Sequence, residues 1–181
     1  MRPSGGGRQR LVFYVPTRGL IGYQGELLTD TRGTAIMNRL FHAYAPYKGE
    51  IQGRRNGVLI STEAGEAVAY ALWNLEDRGP MMIDPGVRVY AGMIVGEHTR
   101  ENDLEVNVLK GKKLTNIRTT SKDEAVRLTP PIRMTLERAL AYIQDDELVE
   151  VTPKTIRLRK RHLDSNDRKK AERQKLAMEP A

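Results

Sequence analysis

Met81-Met82-Ile83-Asp84-Pro85-Gly86-Val87-Arg88-Val89-Tyr90-Ala91-Gly92-Met93-Ile94-Val95 is the stretch whose pattern decides the fold. Apolar runs at Met82-Ile83, Val87–Val89 and Met93–Val95 are too short for helices and are separated by turn chemistry. Asp84-Pro85-Gly86 puts proline and glycine in the two central positions of a reverse turn. Downstream, Leu104, Val106 and Val108 alternate with polar residues at the period of a strand, joined to 93–95 through the polar turn at Asn102-Asp103. Upstream, Val58-Leu59-Ile60 predicts another strand. Glu66 to Arg78 predicts a helix with Val68, Leu72 and Leu75 on one face and Trp73 four residues after Ala69. Gly79 is expected to supply a left-handed helix cap, and Pro80 to block continuation.

Further out, Leu136, Ala139, Leu140 and Ile143 fall at i, i+3, i+4 and i+7 behind Thr135, the clearest amphipathic helix in the chain. Val149–Val151 and Ile156–Leu158 predict a closing hairpin around Thr152-Pro153-Lys154. Toward the N-terminus, Leu11-Val12-Phe13-Tyr14-Val15 predicts a buried strand stopped by Pro16. Thr17 is placed to cap a helix through Leu20, Ile21, Leu27 and Leu28, although Gly19, Gly22 and Gly25 weaken it. Residues 34–44 fit a helix or a strand equally, and Pro46 to Asn56 is loop chemistry that suits a domain boundary. Strands and helices in this arrangement make the class α+β.

The chain has 181 residues, 39% hydrophobic and 29% charged, which describes a globular protein with a core. No stretch approaches the roughly 18 apolar residues of a membrane span. The N-terminus lacks the apolar run of a secretory signal, so a cytoplasmic location is expected. Cysteine is absent, which excludes disulfides, thiolate metal sites and cysteine nucleophiles. The formal net charge is +7, and it is concentrated. Lys154 to Lys175 holds ten Lys or Arg against three acids, a net of +7 that equals the whole excess. Lys110 to Arg127 holds six basic residues against two acids.

Catalytic motifs are missing. The lysines after Gly111 have neither the first glycine of a phosphate-binding loop nor the Ser or Thr after the lysine. Asp145-Asp146-Glu147 is weighed as a metal cluster and read instead as a solvated turn after a helix. His42, His98 and His162 are scattered, and no Ser–His–Asp spacing is recognisable. What remains is charge. Arg157, Arg159, Lys160, Arg161, Arg168, Lys169 and Lys170 form a cationic strip suited to phosphates, without the apolar anchors of a membrane-binding segment. Lys110, Lys112, Lys113, Asn116, Arg118, Lys122 and Arg127 are interleaved with threonines and Ser121, a mixture that suits phosphates and 2′-hydroxyls of folded RNA. Residues 110–131 are also long and nearly structureless by pattern, as functional loops are. A module that meets an acidic protein through the same strips is the competing class.

Several blocks resemble one family. Tyr47-Lys48-Gly49-Glu50-Ile51, Asn56-Gly57-Val58-Leu59-Ile60-Ser61, Gly65 to Leu72, Gly92 to His98, Gly111 to Asn116, Val126 to Pro131 and Glu150 to Lys154 with Ile156 to Arg161 resemble the C-terminal domain of the TypA/BipA translational GTPases. Val15 to Tyr23 and Leu28 to Gly33 resemble the second half of the elongation-factor-G-type fifth domain. The resemblance resolves 34–44 as a strand and implies a fragment: a partial split βαβ remnant over 8–46 with an exposed sheet edge, a mixed-sheet domain with two helices over 47–163, and a basic helical or disordered tail over 164–181. It implies a non-catalytic region of a GTPase linked to stress adaptation and large-subunit assembly. GTP and magnesium would belong to a G domain lying outside these residues, and no cofactor is expected here. The implied partners are the ribosome, large-subunit rRNA and the acceptor end of A-site tRNA, reached by the loop 110–131.

Overall fold

The computed structural model describes residues 1–49, 53–111 and 127–178, and the chain divides into two compact units, Met1–Gln52 and Gly53–Ala181. In the first unit, β1 (Arg2–Pro3) and β2 (Gln9–Arg10) close a small hairpin through Gly5 to Gly7. A 3-10 turn spans Thr17–Leu20, and α1 (Tyr23–Asp30) starts after Gly22. Thr17 therefore opens the 3-10 turn rather than capping the helix. Arg18 stacks over the Tyr47 ring at 4.1 Å and donates to the Gly49 carbonyl.

The strands expected at 11–15 and 34–44 do not form. Both segments are extended chain with no ladder, and Phe13 and Tyr44 are 72% and 96% exposed. They touch at Tyr14 and His42, whose rings lie 4.4 Å apart. Strand propensity reports fit to a half-buried pleated surface, and without a pairing partner it fixes nothing.

The second unit is built on a mixed five-stranded sheet, in the order β7 (Leu104–Val106), β3 (Val58–Ser61), β6 (Met93–Glu97), β9 (Ile156–Lys160), β8 (Glu147–Val151). β3 and β7 run parallel; every other neighbouring pair is antiparallel. Alternation sorts the side chains. Leu59, Met93, Val95 and Val106 face one way, onto Leu72 of α2 (Ala69–Leu75), Met81, Ile83 and Val89. Val58, Ile60, Ile94 and Leu158 face the other, onto Ala139 of α3 (Leu136–Tyr142). With a layer on each face the central strands bury every residue from Val58 to Ser61, and each such aliphatic side chain contributes about 1.5–3 kcal/mol. The α+β class and the mixed sheet are as the sequence predicts.

The turn at 84–86 forms as read: Val87 N–H donates to the Asp84 carbonyl (3.3 Å), with Gly86 at φ 82°. Thr135 caps α3 by accepting from the Arg138 N–H (3.2 Å). The helix over 66–78 is shorter than predicted. Gly65–Glu66 is instead a strand, β4, paired with β5 (Arg88–Val89), and the helix ends in a 3-10 turn over Glu76–Arg78. Gly79 does not adopt the left-handed cap geometry. Its φ of 145° and ψ of 173° are open to glycine, and a Cβ there would sit 2.0 Å from the Glu97 carbonyl oxygen.

The interior also holds charge. Arg54 forms a fork to Glu147 (2.8 and 3.1 Å), donates to the Tyr142 carbonyl (3.2 Å) and lies over the Tyr142 ring at 4.3 Å. Lys160 Nζ reaches Asp103 (2.6 Å), Asp146 (2.8 Å) and Glu147 (3.0 Å). Asp145 and Asp146 form the exposed turn that the sequence predicts, but Glu147 is 2% exposed on β8 and, like Asp146, is ion-paired. Breaking one member leaves a buried uncompensated charge. Glu147→Gln is expected to lower unfolding free energy by about 3–5 kcal/mol. Urea denaturation reads this as a reduced midpoint at unchanged slope. A change below about 1 kcal/mol would show that the cluster carries no such weight.

Candidate nucleic-acid interface

Strand β9 divides its residues between the two faces of the sheet, and this division decides which cations are free to act. Ile156, Leu158 and Lys160 share the face that packs on α3, where Lys160 is 1% exposed. Lys160 is therefore not free to grip an RNA backbone, contrary to the sequence expectation, because its ammonium is committed to three carboxylates. Burial alone would pull that ammonium down, but the hydrogen bonds it donates to Asp103 and Asp146 and the charge of Glu147 outweigh it and hold it above the ordinary lysine value.

Arg157 and Arg159 lie on the opposite face, the one that carries α2. Arg157 stands across from Glu150, and Arg159 is flanked by Leu148 and Met93. Both are half-buried, with stems along apolar surface. Glu150 is held from the other side by the Tyr90 hydroxyl. Burial, then this hydrogen bond and the Glu150 charge, push Tyr90 up to about 12, against the opposing arginines.

Beyond the sheet, Arg161 is exposed, and its N–H anchors the chain to the Asp146 carbonyl (2.8 Å). α4 (Ser165–Met178) carries Lys169 and Lys170 on the surface, where the Lys170–Asp167 pair at 3.7 Å is solvated and contributes little. Arg168 is not a surface cation: its guanidinium is bound to Glu105 (2.6 Å) and to backbone carbonyls.

Of the loop residues, Lys112, Lys113, Asn116, Arg118 and Lys122 lie outside the described residues. Lys110 and Arg127, at its two ends, are exposed. Both stems are tied to the same helix. Val68 N–H, just before α2, donates to the Val108 carbonyl (2.9 Å), and Thr129 N–H donates to Glu76 just after it (2.6 Å). The loop ends thus sit on the sheet face that also bears Arg157 and Arg159. Counting charge missed Arg54, whose place in a polar loop run hides its role. The signal for Lys160 was present in the strand phase it shares with Ile156 and Leu158. Among the described residues no cluster of three His, Cys, Asp or Glu is arranged to hold a metal ion, and no helix is long and apolar enough to cross a membrane.

Residues 56–165 match the family model described as the TypA/BipA C-terminal domain, and residues 1–55 match the elongation factor G C-terminus. The chain is 56% identical over 174 residues to a large ribosomal subunit assembly factor, BipA, of Escherichia coli K12, covering 96% of this chain and 29% of that protein. It is 55% identical over the same length to the protein of that name in Salmonella typhimurium. Against the one in Bacillus subtilis it is 50% identical over 173 residues, covering 95% of this chain and 28% of the relative. The chain thus spans less than a third of the length of these relatives.

Lys160 and Tyr90 both hold their protons more tightly folded than unfolded. Their contribution to stability is full below the ordinary values of 10.5 and 10.0 and is lost as pH rises through the raised ones. Melting temperature is expected to fall above about pH 10, and Tyr90→Phe to make that fall shallower. An identical alkaline slope in Tyr90→Phe would remove Tyr90 from the account.

Proposed function

The chain belongs to the TypA/BipA family, and we propose that this region is the part by which such a factor docks on the large ribosomal subunit, through electrostatic and shape recognition of RNA. The observation that carries the reading is a sheet face on which two arginines of β9 accompany both stems of a basic, hydroxyl-rich loop. Supporting it, relatives at 50–56% identity are named as large ribosomal subunit assembly factors.

In this reading Arg157, Arg159 and Arg161 bind backbone phosphate, with arginine forks suited to bidentate contact. Lys169 and Lys170 add charge without sequence preference. Lys110, Lys112, Lys113, Asn116, Arg118, Lys122 and Arg127 reach folded RNA, including the acceptor end of tRNA, where hydroxyls and amides read 2′-OH groups. No catalysis is assigned to these residues. GTP hydrolysis, with its magnesium, would belong to a G domain lying outside them, and the work would take place in the cytoplasm during stress adaptation and subunit assembly.

Co-sedimentation with isolated large subunits across a salt series tests this. Five phosphate contacts, from Arg157, Arg159, Arg161, Lys169 and Lys170, predict a loss of roughly 100-fold to 500-fold in affinity between roughly 50 and 200 mM salt. An affinity that stays flat with salt, or that survives nuclease digestion of the RNA, would instead support docking on an acidic protein. The triple variant Arg161→Ala, Lys169→Ala, Lys170→Ala is expected to weaken binding about tenfold or more while leaving the melting temperature within about 2 °C.

A further inference from the structure

Helix α4 has almost nothing apolar with which to hold itself in place. Among its described side chains only Ser165, Arg168 and Ala171 are partly covered, a single stripe at i, i+3 and i+6. A solitary helix of this length is marginal in water, so its persistence depends on how its first turn is fixed. Asp164 caps that turn, its Oδ1 accepting from the N–H groups of Asn166 (2.7 Å) and Asp167 (3.3 Å).

Arg168 does the rest. One guanidinium nitrogen donates to the carbonyls of His162 (3.0 Å) and Leu163 (2.6 Å), in the chain that leads from β9 into the helix. The other donates to Glu105 (2.6 Å), which stands on β7 at the edge of the sheet. The Glu105 carboxylate also accepts from Ser165 at the start of the helix, and that bond, with Arg168 opposing the cost of burial, keeps it below the usual carboxylate range. Strand edge, linker and helix are joined at one side chain.

Resting on the docking reading above, we propose that Arg168 is a positioning residue and not a phosphate ligand. Its clamp to Glu105 fixes α4 against the β7 edge, so that Lys169, Lys170 and Arg173 face a polyanionic backbone as one preorganised row. Lys169 and Arg173 stand at i, i+4 and Lys170 and Arg173 at i, i+3, on the side of the helix away from the covered stripe. Ordering this row in advance removes a cost that a flexible tail would meet on binding.

Glu105→Gln decides the matter because two accounts predict opposite signs. Removing a carboxylate makes the chain more positive, so charge alone predicts tighter binding to RNA. The clamp predicts weaker binding. Glu105→Gln is expected to lower affinity for isolated large subunits about fivefold to tenfold and to flatten the salt slope by about 2, the share of two released phosphates. Without RNA, hydrogen exchange of amides 167–173 should lose protection while the melting temperature stays nearly constant. Arg168→Lys, which keeps the charge and loses the fork, should match Glu105→Gln. Lys169→Gln with Lys170→Gln should weaken binding with protection intact. Equal or tighter binding by Glu105→Gln, or unchanged amide protection, overturns the proposal. Salt-independent binding by the unaltered chain overturns the docking reading instead, and the exchange measurement still decides whether the clamp exists.

Discussion

The cluster of Arg54 and Lys160 with Asp103, Asp146 and Glu147 is the constraint on which the register of the β8–β9 ladder, and with it the placement of Arg157 and Arg159, depends. Burying such groups costs several kcal/mol per ion, and only good geometry with further hydrogen bonds offsets it. Here Glu147 receives the Arg54 fork, the Lys160 ammonium and the Gln144 N–H (3.1 Å), while Gln144 in turn donates to the Arg54 carbonyl (2.8 Å). The cluster joins segments far apart in sequence: the entry to β3, the turn before β7, the end of α3 and the ladder of β8 with β9. What it secures above all is register. Glu147 is the cross-strand partner of Lys160, and a slip of one residue would move Lys160 to the α2 face, away from its carboxylates, and bring Arg159 onto the α3 face. The same bonds that bury Lys160 keep Arg157 and Arg159 on the opposite side.

Parts of this were legible in the sequence because they are local. Asp84-Pro85-Gly86, the Thr135 cap and the hairpin around Thr152-Pro153-Lys154 each depend on residues within a few positions, and each forms where read. The start of α2 is not legible locally because Gly65–Glu66 pairs with Arg88–Val89, a contact that local helix propensity cannot report. Segments 11–15 and 34–44 mislead for the converse reason, as strand-forming residues that meet no ladder. Gly79 ends the helix without the left-handed cap that the sequence predicts, and the demand for glycine comes from the Glu97 backbone pressed against it.

The candidate site was legible as composition and less so as geometry. Counting lysines and arginines places Lys160, Arg168 and Arg161 in one strip, yet they have three different fates: buried in an ion cluster, clamped to a strand edge, and exposed. Period-two alternation in Ile156-Arg157-Leu158-Arg159-Lys160 already contains the first distinction. The second is not in any local pattern, because Glu105 and Arg168 are brought together only by the path of the chain from β9 across to β7.

A surface meant to meet RNA gains nothing by spending cations on its own interior if charge count is what matters. It gains a good deal if placement matters. Each long basic side chain on a mobile segment must be ordered when it binds, at a cost of about 0.5–1.5 kcal/mol, in addition to the ordering of the backbone that carries it. A cation held internally, as Lys160 and Arg168 are, is not free for a phosphate but fixes the frame for neighbouring cations that are. The sheet register that Lys160 secures orients Arg157 and Arg159, and the Arg168 clamp orients Lys169 and Lys170. If the region docks on RNA as proposed, the basic excess has two functions within one segment, and specificity for a shaped polyanion would follow from the rigidity of the frame together with the chemistry of the loop anchored at Val108 and Thr129.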